Sequence, residues 1–188
     1  MKSAIKTIAL IGVLLASTPS FSNEGMYING NLGVAVPTDN DVITGNSVFA
    51  SDSGFAFDFA FGYEFKENIR TEIEFGYKQN DIFAFNNGNN TTNDGIGTFT
   101  LLTNGYYVFN NPSKFVPYLG LGIGYSHVFD DSFSINSFAY QFGGGLDYFI
   151  NEKVSIGIKY QFTGIAEKIE FLNTMNSNNV YAGMRFYF

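Results

Sequence analysis

The stretch Gly54–Phe65, with the sequence GFAFDFAFGYEF, alternates strictly between two kinds of side chain. An aromatic residue occupies every second position, and the residues between are small or charged. A period of two residues is typical of a β-strand and not of an amphipathic helix. Because Asp58 and Glu64 lie on the face opposite the aromatic rings, we predict that the rings face lipid and that the carboxylates face a polar interior. The stretch therefore predicts a transmembrane β-strand.

The N-terminus has the features of a secretory signal peptide. Basic residues precede the apolar run Ile8–Ala16, and Ser20 and Ser22 offer the small side chains that a cleavage site requires. The apolar run is much shorter than the roughly 18 residues of a transmembrane helix. We predict a signal peptide over residues 1–22 and one barrel domain over residues 23–188.

Composition excludes several classes of function. The chain has no cysteine, which excludes disulfides, thiol catalysis and thiolate metal sites. Its net charge is −7, so nucleic acid is not an expected partner. The 22 Phe and 12 Tyr, without any Trp, fit a surface where rings face lipid. We expect no cofactor and no bound metal, and the sequence has no calcium-binding loop of the usual spacing.

The alternating pattern recurs along the whole mature chain. It is least regular in the fourth segment, where Leu102 and Val108 fall on the inner face. We predict eight strands, at residues 26–36, 54–65, 69–78, 97–109, 115–128, 137–150, 154–162 and 178–188. Long polar connections alternate with tight turns, which is the arrangement of an antiparallel up-and-down barrel. The sequence thus predicts an all-β, eight-stranded antiparallel transmembrane β-barrel.

The two kinds of connection predict the orientation of the barrel. In barrels of this class the tight turns are periplasmic, so both chain termini are expected in the periplasm and the long loops outside the cell. We predict long loops at 37–53, 79–95, 129–136 and 164–177. In the second of these, Phe83 and Phe85 indicate that strand pairing continues beyond the membrane.

The predicted long loops are acidic. Lys168 is their one base against nine acids, which are Asp39, Asp41, Asp52, Asp81, Asp94, Asp130, Asp131, Glu167 and Glu170. This charge argues against heparan-type ligands and permits divalent cations to bridge the loops to lipopolysaccharide.

Four segments resemble a known family. They are LTNGYYVF at 102–109, VPYLGLGIGY at 116–125, FAYQFGGGLDY at 138–148 and GMRFYF at 183–188. The chain resembles the eight-stranded outer-membrane barrels related to opacity proteins, to the transmembrane domain of outer-membrane protein A and to the surface antigens of intracellular bacteria. The resemblance implies the outer membrane of a Gram-negative cell. It also implies that Gly183, Phe186 and Phe188 form the signal that the outer-membrane assembly machinery reads.

Charged residues are predicted on the inner face. An eight-stranded barrel is only wide enough for its side chains to fill, so these charges are expected to pair and to close the lumen. The predicted network comprises Asp58, Glu64, Arg70, Glu72, Glu74, Lys78, Asp147, Lys159 and Arg185. The alternative is an ion path through rearranged pairs, as in a small-solute porin.

Two apparent catalytic or nucleotide motifs have structural explanations. Glu72 and Glu74 are not expected to act as an acid–base pair, because no substrate reaches a filled lumen. Gly120, Gly122 and Gly124 lack the spacing and the following helix of a dinucleotide loop. We expect these glycines inside the barrel, where they leave room for bulky residues such as Tyr106 or Tyr118.

His127, the one histidine, raises the question of a lipid hydrolase. Barrel enzymes that deacylate lipid A, as a family, use a lipid-facing His and a Ser two residues later. Here that second position is Phe129, and Ser126 is predicted to point inward. We therefore expect no enzyme activity and interpret His127 as a residue of the barrel rim.

These observations indicate a monomeric barrel that acts through its loops at the cell surface. The expected roles are adhesion, through a host surface or matrix protein, or envelope integrity. The expected membrane partners are outer-membrane lipid and lipopolysaccharide. A small-solute porin is the alternative function.

Signal-peptide cleavage is directly testable. We expect the mature protein to begin at Asn23, because Ser20 and Ser22 fit the small pockets of a signal peptidase. N-terminal sequencing of the protein extracted from membranes checks this. A start before residue 17 would contradict the prediction.

Overall fold

The chain forms one continuous antiparallel sheet. The computed structural model describes residues 24–38, 41–44, 47–51, 53–66, 68–86, 89–130, 134–166 and 176–188. The predicted signal peptide and much of the predicted long loops lie outside these residues. The strands are β1 (Gly25–Pro37), β2 (Asp41–Thr44), β3 (Ser47–Ser51), β4 (Gly54–Glu64), β5 (Ile69–Asn86), β6 (Asn89–Val108), β7 (Phe115–Phe129), β8 (Ser134–Phe149), β9 (Val154–Ile165) and β10 (Ser177–Tyr187).

Eight of these strands close into a barrel. Each of β4 to β9 pairs with the next strand in sequence, and β1 pairs with both β4 and β10. The first and last strands thus meet, and every barrel strand has two antiparallel neighbours. The predicted fold class, an eight-stranded antiparallel barrel, is confirmed. Within the described ranges, no helix is long and apolar enough to cross a membrane.

Burial alternates along the strands as the sequence predicts. In β4, Phe55 and Phe59 are about half exposed on the outer surface, whereas Asp58 is 3 % exposed inside. The irregular fourth segment follows the same rule, because Leu102 and Val108 both point inward. The outer surface is therefore apolar and the interior largely polar.

The first long loop differs from its prediction. Residues 37–53 were expected to be loop throughout, but β2 and β3 form a hairpin within them, and β3 pairs with the far end of β5. The hairpin segments contain β-branched and aromatic residues, VIT and SVF, which favour extended structure once a partner strand is present.

The partner for the hairpin is supplied by an extension of the barrel. β5 and β6 continue their pairing to Asn86 and Asn89, as Phe83 and Phe85 indicated. β5 has 18 residues, whereas about 9–11 tilted residues cross a membrane. The β5–β6 ribbon therefore projects beyond the bilayer, at the end opposite the tight turns.

Asparagine side chains stabilise the tight turns. Asn68 adopts the left-handed conformation (φ 64°), which asparagine tolerates better than most residues. Its side-chain oxygen accepts a hydrogen bond from Asn110 Nδ2 at 2.6 Å, which joins two neighbouring turns. Asn151 Oδ1 accepts from the backbone N–H groups of Lys153 and Val154 at 2.8 and 2.9 Å. These hydrogen bonds, made within and between the turns, hold the turn conformations.

Deletion of Phe188 tests the predicted assembly signal. Phe188 is 66 % exposed and its main contribution to the sheet is a hydrogen bond from its N–H to Met26 O at 3.1 Å. We expect the deletion variant to accumulate in the periplasm or to be degraded in cells, yet to refold from urea into detergent. Fractionation and heat-dependent gel mobility measure the two outcomes.

Phe65→Ala is the matched control, since Phe65 is another outward ring at the same end of the barrel. This variant is expected to reach the outer membrane normally. Normal surface levels of the Phe188 deletion would show that Phe188 is not part of an assembly signal.

Candidate functional site: the lumen

The barrel interior concentrates the charged residues of the described chain. Alternation along five strands, β4, β5, β8, β9 and β10, brings them to one narrow space, and each is at most 6 % exposed to solvent. They are Asp58, Glu64, Arg70, Glu72, Glu74, Lys78, Asp147, Lys159 and Arg185. All nine residues of the predicted network are therefore inside the barrel, where they form two groups.

The proximal cluster lies nearer the tight turns and contains Glu64, Arg70, Glu72, Asp147 and Arg185. Arg70 Nε lies 3.3 Å from Glu64 Oε2, and Arg70 Nη1 lies 3.2 Å from Asp147 Oδ2. Arg185 Nη2 lies 3.7 Å from Glu72 Oε1, and Nη1 contacts Asp147 Oδ2. Asp147 is thus shared between the two arginines.

Tyrosines complete the proximal cluster. Tyr27 donates its hydroxyl proton to Glu72 Oε1 at 2.8 Å, and Tyr187 donates to Glu64 Oε2 at 2.7 Å. The Arg70 guanidinium carbon lies 4.8 Å from the ring centre of Tyr118, which is a cation–π distance. An apolar layer closes this end of the lumen, formed by Tyr27, Tyr106, Val108, Val116, Tyr118, Phe149 and Tyr187.

The distal cluster contains Asp58, Glu74, Lys78 and Lys159. Lys159 Nζ lies 2.9 Å from Asp58 Oδ2 and 3.2 Å from Glu74 Oε2, so one ammonium group neutralises two carboxylates. The Lys159 Nζ atom also lies 4.8 Å from the ring centre of Tyr181. Lys78 is different, because it donates to Ser177 Oγ at 3.1 Å and has no ion-pair partner among the described residues.

Amide side chains supply the remaining hydrogen bonds of the distal cluster. Glu74 accepts from Asn104 Nδ2 at 3.1 Å and from Gln141 Nε2 at 3.1 Å. Gln161 Nε2 donates to Glu74 at 3.3 Å and also contacts Gln141 Oε1. Asn31 Nδ2 donates to Asp58. The sequence pattern predicted inward positions for Asn31, Gln141 and Gln161 but did not identify these hydrogen bonds.

Little space remains for water beside the distal cluster. A cavity of about 10 Å³ lies against Tyr106, Gln141, Lys159 and Gln161, which is room for about one water molecule. Glycines make the tight packing possible: a Cβ atom at Gly120 would collide with the Tyr106 ring, and one at Gly145 with the Tyr118 hydroxyl. Of the three glycines predicted to make room for tyrosines, only Gly120 does so; a Cβ atom at Gly122 would meet Asn104, and one at Gly124 would meet the neighbouring backbone.

His127 lies on the outer surface near the distal rim. Its Nδ1 is 2.6 Å from Asn136 Oδ1, and its ring stacks on Phe129 at 5.7 Å between centres. Ser126 is fully buried inside and donates to Ser137 O at 3.2 Å. Both placements follow the predicted alternation. Among the described residues, no group of three or more acidic or histidine side chains is arranged to hold a metal ion.

The apolar exterior, the closed antiparallel sheet and the buried charges define the class of integral outer-membrane barrels. The chain belongs to the outer membrane protein beta-barrel domain family, whose profile matches residues 7–188. It is therefore an outer-membrane protein.

Known relatives are distant in sequence. Outer membrane protein PagN of Salmonella typhimurium strain LT2 is 24% identical over 214 residues, covering 94% of this chain and 87% of PagN. Neisserial surface protein A aligns with a TM-score of 0.68 at 20% identity, covering 87% of this chain and 97% of that one. OprG of Pseudomonas aeruginosa aligns with a TM-score of 0.64 at 18% identity, covering 90% and 99%. The two structural similarities show a shared fold.

Substitution of a lumen base tests how the charges contribute to stability. Arg185→Met removes the ion pairs of Arg185 with Glu72 and with Asp147. Lys159→Met removes the ion pairs of Lys159 with Asp58 and with Glu74. Because an unpaired buried charge is costly, we expect each variant to lose roughly 3–5 kcal/mol of unfolding free energy. Urea unfolding of the refolded protein in detergent measures the loss.

Lys66→Met is the matched control, because Lys66 pairs with Glu24 at 3.0 Å on the exposed surface. Screening by water makes such a pair contribute little, so this variant should unfold like the wild type. Unchanged unfolding of the two lumen variants, together with a discrete bilayer conductance that shifts on substitution, would contradict the filled lumen.

Proposed function

We propose that this protein is a surface barrel with a side-chain-filled lumen, and that it acts through its membrane-distal segments in adhesion or host interaction, or in envelope integrity. In this proposal the tight turns and both termini are periplasmic and the β2–β3 hairpin is extracellular. The burial of the nine lumen charges is the observation that carries the proposal.

The packed lumen favours a surface role over a channel. A channel requires a continuous water column, but the lumen charges are at most 6 % exposed, and eight of the nine are paired with one another. Opening a path would separate pairs such as Lys159–Asp58 in a confined interior, which is energetically costly. These contacts support a barrel that serves as an anchor, and the alternative small-solute porin has no comparable support.

The part of the structure available for binding is a distal sheet. We use this name for β2, β3 and the projecting parts of β5 and β6, residues 82–86 and 89–93. Its backbone pairing aligns Ile43 with Val48 and Val48 with Phe85. The segments contain Asp41 and no Lys, Arg or His. An apolar, acidic sheet favours a protein partner over a sulfated polysaccharide.

The edges of the distal sheet provide a second means of recognition. Within the described chain, β2 pairs with β3 alone, and β6 pairs with β7 only from Gly97 onward. Strand edges of this kind bind extended polypeptide segments through backbone hydrogen bonds. A host protein with an extended surface segment fits this arrangement.

Replacement of the hairpin tests the proposed role. In the variant, residues 41–51 are replaced by a Gly-Ser linker of equal length, and cells expressing it are compared with wild-type and empty-vector cells. We expect adhesion to epithelial cells or matrix proteins to fall to the empty-vector level while the surface amount of barrel stays unchanged. Detergent sensitivity of the same strains measures the envelope role.

The control replaces residues 151–153 of a tight turn by a Gly-Ser linker of equal length, because this turn lies at the opposite end of the barrel. This control should retain adhesion. If the wild type exceeds the empty vector in adhesion or detergent resistance and the hairpin variant keeps the full difference, the distal sheet does not carry the function.

A further inference from the structure

A cleft with two free lysines lies at the tight-turn end of the barrel. Its volume is about 580 Å³, within the range of small-molecule sites. It is formed where the turn before β7 approaches the turn between β8 and β9. Its lining residues are Lys114, Phe149, Ile150, Asn151, Glu152, Lys153, Val154 and Phe186.

The backbone fixes the positions from which both lysines extend. Lys114 O accepts a hydrogen bond from Phe149 N–H at 2.9 Å, and Lys153 O accepts one from Tyr187 N–H at 2.8 Å. Both side chains are exposed, and neither has an ion-pair partner in the described ranges. With Glu152, the cleft carries a formal charge of +1.

Lys66, in the tight turn between β4 and β5, differs from these two lysines because it has an ion-pair partner. It pairs with Glu24 at 3.0 Å, and this hydrogen bond and charge raise the pKa of Lys66 above its usual value. Of the three lysines at this end, one is thus neutralised by the protein itself. The other two share a cleft and remain available to an external anion.

An apolar groove lies next to the cleft, nearer the middle of the barrel. Its volume is about 530 Å³, and its lining residues are Phe115, Leu146, Tyr148, Ile156, Gly157, Ile158, Ala182 and Gly183. Phe115 follows Lys114 directly, and the strand pairs Val154–Phe186 and Ile158–Ala182 lead from the cleft along the groove. Ile158 is 62 % exposed, and the small side chain of Ala182 beside it leaves a depression in the surface.

We propose that the cleft and the groove together bind one anionic phospholipid. The ammonium groups of Lys114 and Lys153 hold the phosphate, and an acyl chain lies in the groove between Phe115 and Ala182. A free phosphate ion would use the cleft alone and leave the groove without a role. The leaflet involved adjoins the tight turns, and its identity as the periplasmic leaflet rests on the orientation in the proposed function.

Charge complementarity sets the expected specificity. A headgroup with one net negative charge matches the +1 cleft. The hydroxyl groups of the headgroup can donate hydrogen bonds to the Glu152 carboxylate. A single lysine near a membrane surface changes the affinity for anionic lipid about fivefold. Two lysines acting together are therefore expected to give about 25-fold preference for an anionic headgroup.

Native mass spectrometry of the mature protein tests the site. The protein is released from nanodiscs of equal parts phosphatidylglycerol and phosphatidylcholine, and retained lipids are counted. We expect the wild type to retain one phosphatidylglycerol preferentially. Lys114→Gln and Lys153→Gln should each weaken the preference about fivefold, and the double variant should abolish it. Heat-dependent gel mobility verifies that each variant is folded.

Lys66→Gln is the matched control and is expected to retain phosphatidylglycerol like the wild type. Equal loss in Lys66→Gln and in the double variant would overturn the proposal, because general attraction to a basic rim would explain it. Wild-type retention by the double variant, or binding of inorganic phosphate without preferential retention of phosphatidylglycerol, would also overturn it. The hairpin variant should still bind phosphatidylglycerol, so this site and the surface role fail independently.

Discussion

The pairing of the first strand with the last is the constraint on which the rest of the structure depends. Lipid offers no hydrogen-bond partner to a backbone N–H or C=O group, so a sheet in the membrane must have no free edge. β1 and β10 meet along their lengths, from Tyr27 opposite Tyr187 to Pro37 opposite Ser177. Closure separates an inside from an outside, and the alternation of side chains then assigns each residue to one of them.

Closure also makes the interior charges interdependent. The narrow lumen removes them from water, so each must find a partner across the barrel rather than in solvent. The chain solves this with shared groups: Asp147 serves two arginines, and Lys159 serves two carboxylates. Tyrosine hydroxyls and side-chain amides donate further hydrogen bonds to the same carboxylates. The same contacts join strands that are not neighbours in the sheet.

The sequence predicted which residues face inward but not which of them touch. A period of two residues suffices to place Asp58, Arg70 and Lys159 in the lumen, as well as the less obvious Leu102. Partners across a barrel depend on strand stagger, which alternation does not encode. The sharing of Asp147 and the hydrogen bond of Lys78 to Ser177, with no ion pair to a described carboxylate, therefore emerged only from the structure. The β2–β3 hairpin was missed because its short strands depend on pairing with the projecting end of β5.

Arg185 helps to determine the register in which β10 pairs with β1. A slip of β10 by one residue would turn Arg185 and Tyr187 toward lipid and bring Met184 and Phe186 into the charged interior. A guanidinium that faces lipid is destabilising, and the slip would also remove Arg185 from Glu72 and Asp147. Both penalties are absent only in the native alignment. The lumen ion pairs thus favour one alignment of β10 with β1 among many that have equivalent backbone hydrogen bonds.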